Sequence, residues 1–169
     1  QAVGMTEARL ANDRGVVSLM LGQCDAALNV FNGILSQWEV IQEQWSAAER
    51  PLIYGNLLGN VGYAYLQSGE YAQSLTFLQQ ARAHQQAAAL MDDLSTTLID
   101  LADAYQAVNL HSEAEEIYAT AVVHVENSRT PYAQARAYWG WGLTLAAQHN
   151  FESAATKLQQ AHNLFKLIG

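Results

Sequence analysis

Proline is scarce in this chain: Pro51 and Pro131 are the only two in 169 residues. Few positions therefore carry the missing N–H and fixed φ that interrupt a helix. Cysteine is scarcer still. Cys24 stands alone, so no disulfide can form within the chain, and a reducing, cytoplasmic compartment is expected. Basic residues number 8 against 16 acidic ones, a formal net charge of −8. A nucleic-acid binder needs a basic face to displace counterions from phosphates. No cluster of Lys and Arg is present to make one, so direct nucleic-acid binding is not expected. No apolar run approaches the ~18 residues of a membrane-spanning helix, and no basic-then-apolar leader opens the chain. The first residue is Gln1 and not Met, which suggests a processed chain or a piece of a larger protein. A Gly-rich phosphate loop, His-Glu-x-x-His and paired Cys-x-x-Cys are all missing. Neither a cofactor, a metal nor catalysis is expected.

What is present favours helix. Half of the residues are hydrophobic, enough for one domain with a sizeable core. Ala, Leu and Gln abound, and unbranched side chains lose little rotamer freedom in a helix. The stretch "LGNVGYAYLQSGEYAQSLTFLQQA", Leu58 to Ala81, reads as two helices folded back across "QSGEY". It is a repeating unit. Gly69 to Ala81 aligns with Asn109 to Ala121 and with His149 to Ala161, at a period of 40 residues. Gly62, Ala102 and Gly142 fall in register, each a small residue in mid-helix, and so do Ser74, Ala114 and Ala154. An earlier copy runs from Arg14 to Phe31, and its Ala27 precedes Ser74 by 47 residues. The excess of seven is two helical turns, which leave a buried face nearly unrotated, so a longer second helix is expected there.

This wording resembles the tetratricopeptide repeat (TPR) family: small residues in the middle of helix A and helix B, a large apolar or aromatic residue one turn later, and a Gly-containing turn. The usual repeat is about 34 residues. Longer repeats of about 40 resemble the sensor regions of large bacterial regulators of the maltose-activator type, and the polarity adaptors that bind extended partner segments. The first copy departs from the pattern, with Arg14 where a large apolar residue is usual and Ser18 where an aromatic is. That suits a terminal, partly solvated unit. The resemblance implies an all-α, right-handed superhelical solenoid of four helix-turn-helix units. We place them at about 4–49, 50–91, 92–129 and 130–169 within one domain, 1–169. Eight helices are expected, at 4–21, 24–47, 50–67, 71–90, 93–108, 111–127, 131–148 and 151–168, with ends uncertain by ~2–4 residues. Adjacent units bury a continuous core and curve around a concave side.

Punctuation agrees with these breaks. Gly22 and Gly69 suit a helix-closing residue of positive φ, and Asn109 tolerates the same conformation. Thr130-Pro131 reads as an N-cap followed by proline at the first helical position.

In this family helix A lines the concave surface. By register the inward residues are Asn12, Val16 and Leu19; Asn56, Asn60, Tyr63 and Gln67; Ile99, Asp100, Asp103 and Gln106; and Arg136, Trp139, Leu143 and Ala147. Asn and Gln can pair with a peptide backbone as donor and acceptor, while Tyr63 and Trp139 offer amphipathic area. For Val16, Leu19 and Leu143, packing against neighbouring helices is the alternative. The TPR clamp that grips a C-terminal carboxylate is a poor match, since Lys157 and Lys166 are the only lysines.

Other candidates have plainer readings. His84 and His124 occupy equivalent repeat positions, but metal-ligand spacings are missing. Asp92, Asp93, Asp100 and Asp103 form an acidic cluster with no nucleophile nearby, so a solvated face is preferred to acid–base work. Cys24 fits a tight turn better than a redox role. Trp38, Ile41 and Trp45 share the i, i+3, i+7 spacing of a core stripe, which outweighs a partner-binding patch. Leu158, Ala161, Leu164, Phe165 and Ile168 give the last helix a broad apolar face. Either further repeats follow, or the chain self-associates there.

The leading expectation is a non-catalytic scaffold that holds a peptide or protein segment, with some positive charge, in its groove. The alternative is the ligand-sensing part of a multidomain regulator, binding a small molecule or a sugar, with Trp139 and Trp141 stacking on it.

Overall fold

The computed structural model describes residues 4–126 and 130–169, apart from the side chains of Met5, Met91 and Asp92. All regular structure among these residues is helical. The elements are α1 (Met5–Met20), α2 (Cys24–Leu35), α3 (Trp38–Ile41) with a 3-10 turn at Gln42–Gln44, α4 (Glu49–Ser68), α5 (Tyr71–Ala87), α6 (Met91–Ala107), α7 (His111–Glu126), α8 (Pro131–Ala147) and α9 (Phe151–Ile168). They form two compact units, residues 1–90 and 91–169. In the first, α1 packs on α2, α2 on α4 and α4 on α5, with α1 also touching α4. The second repeats the scheme, α6 on α7, α7 on α8 and α8 on α9, with α6 also against α8.

Small residues at the crossings let these helices approach. A Cβ on Gly62 would lie 2.6 Å from Leu78 Cγ, and one on Gly142 would lie 2.7 Å from Leu158 Cγ. The two collisions are the same contact, two periods apart. The tight turns follow the same spacing. Gly69, Asn109 and His149 have φ of 81°, 61° and 63°, and Gly22 has 72°. Gly22, Gly69 and Asn109 therefore close their helices as the sequence predicts, while His149 reaches the same conformation without a residue type that advertises it.

One expected helix is broken. The span 24–47 divides after Leu35 into α2, α3, the 3-10 turn and an extended Trp45 (φ −103°, ψ 150°). At the break, Ser36 Oγ and Gln37 Nε2 both donate to the Gly33 carbonyl, at 2.9 and 3.2 Å. The Gln37 N–H bonds instead to Ile34, three residues back. Side chains that capture a backbone acceptor compete with the helical ladder. The seven extra residues thus form a compact corner. Its apolar stripe is still buried: Trp38, Ile41 and Trp45 join Ala27, Phe31 and Val61 in the core of the first unit. Trp45 stacks on Trp38 at 5.5 Å and Trp38 on Tyr54 at 4.7 Å, and His84 meets Tyr54 edge-on at 4.9 Å.

The starts of α4 and α8 also differ in detail. Ser46 and Glu49 bond reciprocally, with Ser46 N–H to Glu49 Oε2 at 3.2 Å and Glu49 N–H to Ser46 Oγ at 3.3 Å, so a capping box precedes Pro51. The Ser46 hydroxyl, which donates to Glu49 Oε2 at 2.8 Å, and then the Ser46 N–H hold the Glu49 carboxyl below its ordinary pKa. Thr130 is the N-cap of α8 and Pro131 follows it, but the Thr130 side chain makes no capping bond.

Candidate functional site

In the first unit, the helix-A residues singled out by register come together as a ladder of amides. Asn60 Nδ2 on α4 donates to Asn12 Oδ1 on α1 at 3.1 Å. One turn away, Gln85 Nε2 on α5 donates to Asn56 Oδ1 at 3.3 Å. Gln85 is only 1% exposed, so Asn56 is held from behind by a fixed donor. Tyr63 is half-buried and Gln67 exposed. Val16 and Leu19 are half-buried and pack against the core cluster. Asn12 and Asn56 line a cleft of about 260 Å³ together with Ala8, Arg9, Asp13, Ile34, Trp45, Leu52, Ile53 and Leu57.

The second unit is organised around Arg136. Its Nη2 on α8 donates to Asp100 Oδ1 and to Asp103 Oδ2 on α6, each at 2.5 Å. Asp103 also accepts from the Tyr118 hydroxyl on α7, which lies 3.2 Å from Gln106 Oε1 as well. Three helices are thus tied by one polar network. The side chains of Arg136, Asp100 and Asp103 are 25%, 7% and 29% exposed. Burial pushes the Asp100 carboxyl up to about 6, against the pull of Arg136. Burial works against the Arg136 cation, but the two carboxylates outweigh it and raise its pKa. Tyr118 is raised by burial and by Asp103 beside it.

Two expectations need correction here. Ile99 is 1% exposed and Asp100 is 5% exposed, so neither presents its side chain to a partner. Asp100 and Asp103 are not a solvated acidic face either, because Arg136 compensates them from within; three charges that share one contact do not project a negative lining. Asp93 is half-buried, and the side chain of Asp92 lies outside those described. Trp139 and Leu143 are 49% and 38% exposed, and with Arg136 they follow the i, i+3, i+7 spacing of one face of α8. Ala147 is exposed at the end of that helix.

Several participants were not singled out as functional by the sequence. Tyr118 and Gln85 complete the two networks, yet both sit on helix B, where the repeat pattern predicts only core. The signal for Tyr118 was legible: it replaces the Leu of the other two copies, and a hydroxyl in a buried layer needs a partner. Trp141 is half-buried, and Lys157 Nζ sits 3.8 Å from its ring centre and 5.3 Å from that of Tyr138. That face of Trp141 is therefore taken by a cation, which argues against sugar stacking there. The Tyr138 hydroxyl donates to Glu126, and burial followed by this contact pushes its pKa up to about 12. On α9, Phe165 meets Tyr132 edge-on at 6.3 Å, while Leu167 and Ile168 are exposed.

Residues 54–127 match the family model described as tetratricopeptide repeat. Among solved structures, the chain resembles a Rap protein complexed with Competence and Sporulation Factor, with a TM-score of 0.82 and 17% identity over 96% of this chain and 44% of that one. It resembles the apo form of RapI, with a TM-score of 0.77 and 14% identity over 93% of this chain and 42% of that one. It also resembles a putative kinesin light chain of Podosopora anserina with nearly identical TPR-like repeats, at a TM-score of 0.73 and 16% identity over 97% and 77%. The chain spans less than half the length of the two Rap chains. No curated protein matches the sequence. At these identities the structural likeness concerns the fold alone.

Proposed function

We propose that this chain, whose residues 54–127 match the tetratricopeptide-repeat family model, is a non-catalytic interaction scaffold whose helix-A faces hold a peptide or protein segment. The observation that carries this reading is the amide ladder of the first unit. Asn12 and Asn56 have their oxygens occupied by Asn60 and Gln85, so their NH₂ groups are left to meet the carbonyls of an incoming backbone. Exposed Trp139 and Leu143 on α8 supply apolar area of the kind that anchors a partner. The partner's charge is not dictated by Asp100 and Asp103, which Arg136 already compensates.

The test is a selection of binders from a random peptide library displayed on phage, followed by titration of the selected peptides against the full chain. Peptides are expected to bind with an affinity that falls about tenfold in Asn56→Leu, the loss of one backbone hydrogen bond made by a buried partner. No enrichment over an unrelated helical protein would overturn the reading.

A second reading is the sensing part of a larger regulator. It draws on the chain's spanning less than half the length of the two Rap chains. The two readings part on ligand size: a scaffold holds an extended segment across several helix-A residues, whereas a sensor encloses a small molecule.

A further inference from the structure

We propose that the cleft between α1 and α4 is an anchor pocket for one large, uncharged apolar side chain of an extended partner segment, whose flanking main-chain carbonyls accept from Asn12 and Asn56. This rests on the scaffold reading and specifies what the first unit selects. The cleft measures about 260 Å³. That falls below the ~300–1,000 Å³ of pockets that enclose a whole small molecule, and so suits a side chain better than a free ligand. Its walls are Ala8, Ile34, Leu52, Ile53, Leu57 and Trp45, which select against a polar occupant because burying an unpaired polar group is costly.

Polar groups at the cleft set the chemistry of what lies beside that side chain. Asn12 Oδ1 accepts from Asn60 and Asn56 Oδ1 accepts from Gln85. Both amides are therefore oriented with their NH₂ groups unused among the described residues. Trp45, which forms one wall, keeps its buried indole N–H without an acceptor. The cleft thus offers donors in excess, the complement of backbone carbonyls. The charges beside it nearly cancel: Arg9 faces Glu49 at 3.7 Å, and Asp13 adds one exposed carboxylate. A charged anchor gains little from such a rim. The wall formed by Trp45 exists only because the chain breaks after α2, so the pocket is a product of the seven residues by which the first repeat exceeds the others.

The experiment is an NMR titration of the ¹⁵N-labelled full chain with N-acetyl-leucine N-methylamide, and with the alanine and lysine analogues as controls. The side-chain NH₂ signals of Asn12 and Asn56 and the indole signal of Trp45 are expected to shift saturably with the leucine compound. The other two are expected to bind about tenfold more weakly, as the loss of an apolar side chain's burial implies. Asn12→Asp and Asn56→Asp still accept from Asn60 and Gln85 but replace the outward donor by an acceptor. Each is expected to weaken the leucine compound about tenfold. Leu52→Trp, which fills the cleft from its rim, gives the same loss by a route independent of charge. Absent shifts at these three signals, equal shifts with the alanine compound, or affinity unchanged in all three variants would overturn the pocket. Library-selected peptides that bind but ignore Asn12→Asp and Leu52→Trp would also overturn it while leaving the scaffold reading intact. Docking of the leucine compound without any selected peptide would support the pocket and count against the scaffold.

Discussion

Tyr118 stands where the copies 40 residues away carry Leu78 and Leu158, and one hydroxyl changes what its neighbours must be. The ring occupies the space that a Cβ at position 140 would need, so that residue is glycine. The hydroxyl is buried and takes Asp103 and Gln106 as partners. Asp103 in turn shares Arg136 with Asp100. Tyr118→Phe is expected to cost about 1–2 kcal/mol, since it leaves the acceptors of a buried hydrogen bond unmet. Arg136→Met should cost more, about 3 kcal/mol, because two carboxylates then lose their counter-charge. Urea denaturation measures both, and a smaller loss in Arg136→Met would show that the network is not held by its cation. Asp100 adds a pH dependence. Its native pKa, about 6, lies above its ordinary 3.8, so the folded chain holds this proton more tightly than the unfolded one. The resulting stabilisation is full below pH ~4 and is lost as the pH rises through ~6. Relative to Asp100→Asn, which does not titrate, the parent should lose stability between those limits. A pH-independent difference between the two would assign Asp100 an ordinary pKa.

At the scale of elements, the period of 40 residues made the helix pairs, their small crossing residues and their turn positions readable in advance. Gly142 is the sharpest case. A Cβ there would approach Leu158 Cγ to 2.7 Å and its backbone nitrogen to 3.2 Å. Gly142→Ala should therefore lower stability by about 1–3 kcal/mol, although alanine is the better helix former; a more stable variant by thermal unfolding would show that the crossing relaxes. What was not readable follows from physics that periodicity does not carry. The break after Leu35 depends on two side chains competing for the Gly33 carbonyl, whereas the apolar stripe of Trp38, Ile41 and Trp45 fits a continuous helix equally well. Of the residues proposed from the helix-A register, Asn12, Asn56, Asn60, Asp103 and Arg136 are joined by side-chain hydrogen bonds. The register could not tell that Asp100 and Ile99 point into protein, because a position near the edge of a helix face is tilted inward or outward by packing. Helix-B contributors such as Gln85 were invisible to a rule that assigns function to helix A.

For the whole molecule, the two compact units make a direct prediction. Residues 1–90 contain the core built around Phe31, Ile41, Trp45 and Val61, and residues 91–169 contain the Arg136 network. Stability in such arrays is close to a sum over repeats and their nearest-neighbour contacts. Each piece made separately is expected to be helical and to unfold cooperatively, as followed by far-UV circular dichroism; a random-coil spectrum from either would show that its core depends on the other. The network around Tyr118 also bears on how the chain can be inherited. Helix pairs of one repeat family look like interchangeable cassettes, and gene duplication followed by shuffling is their natural route to new arrays. Here α7 supplies a phenol whose ring needs the glycine of α8, and its partner Asp103 is shared with the arginine of α8. A recombination event between those two helices would set the Tyr118 ring against a residue with a Cβ and leave Asp100 and Asp103 without their cation, or deliver that cation without its acids. The third and fourth repeats are therefore expected to travel through descent as a linked pair.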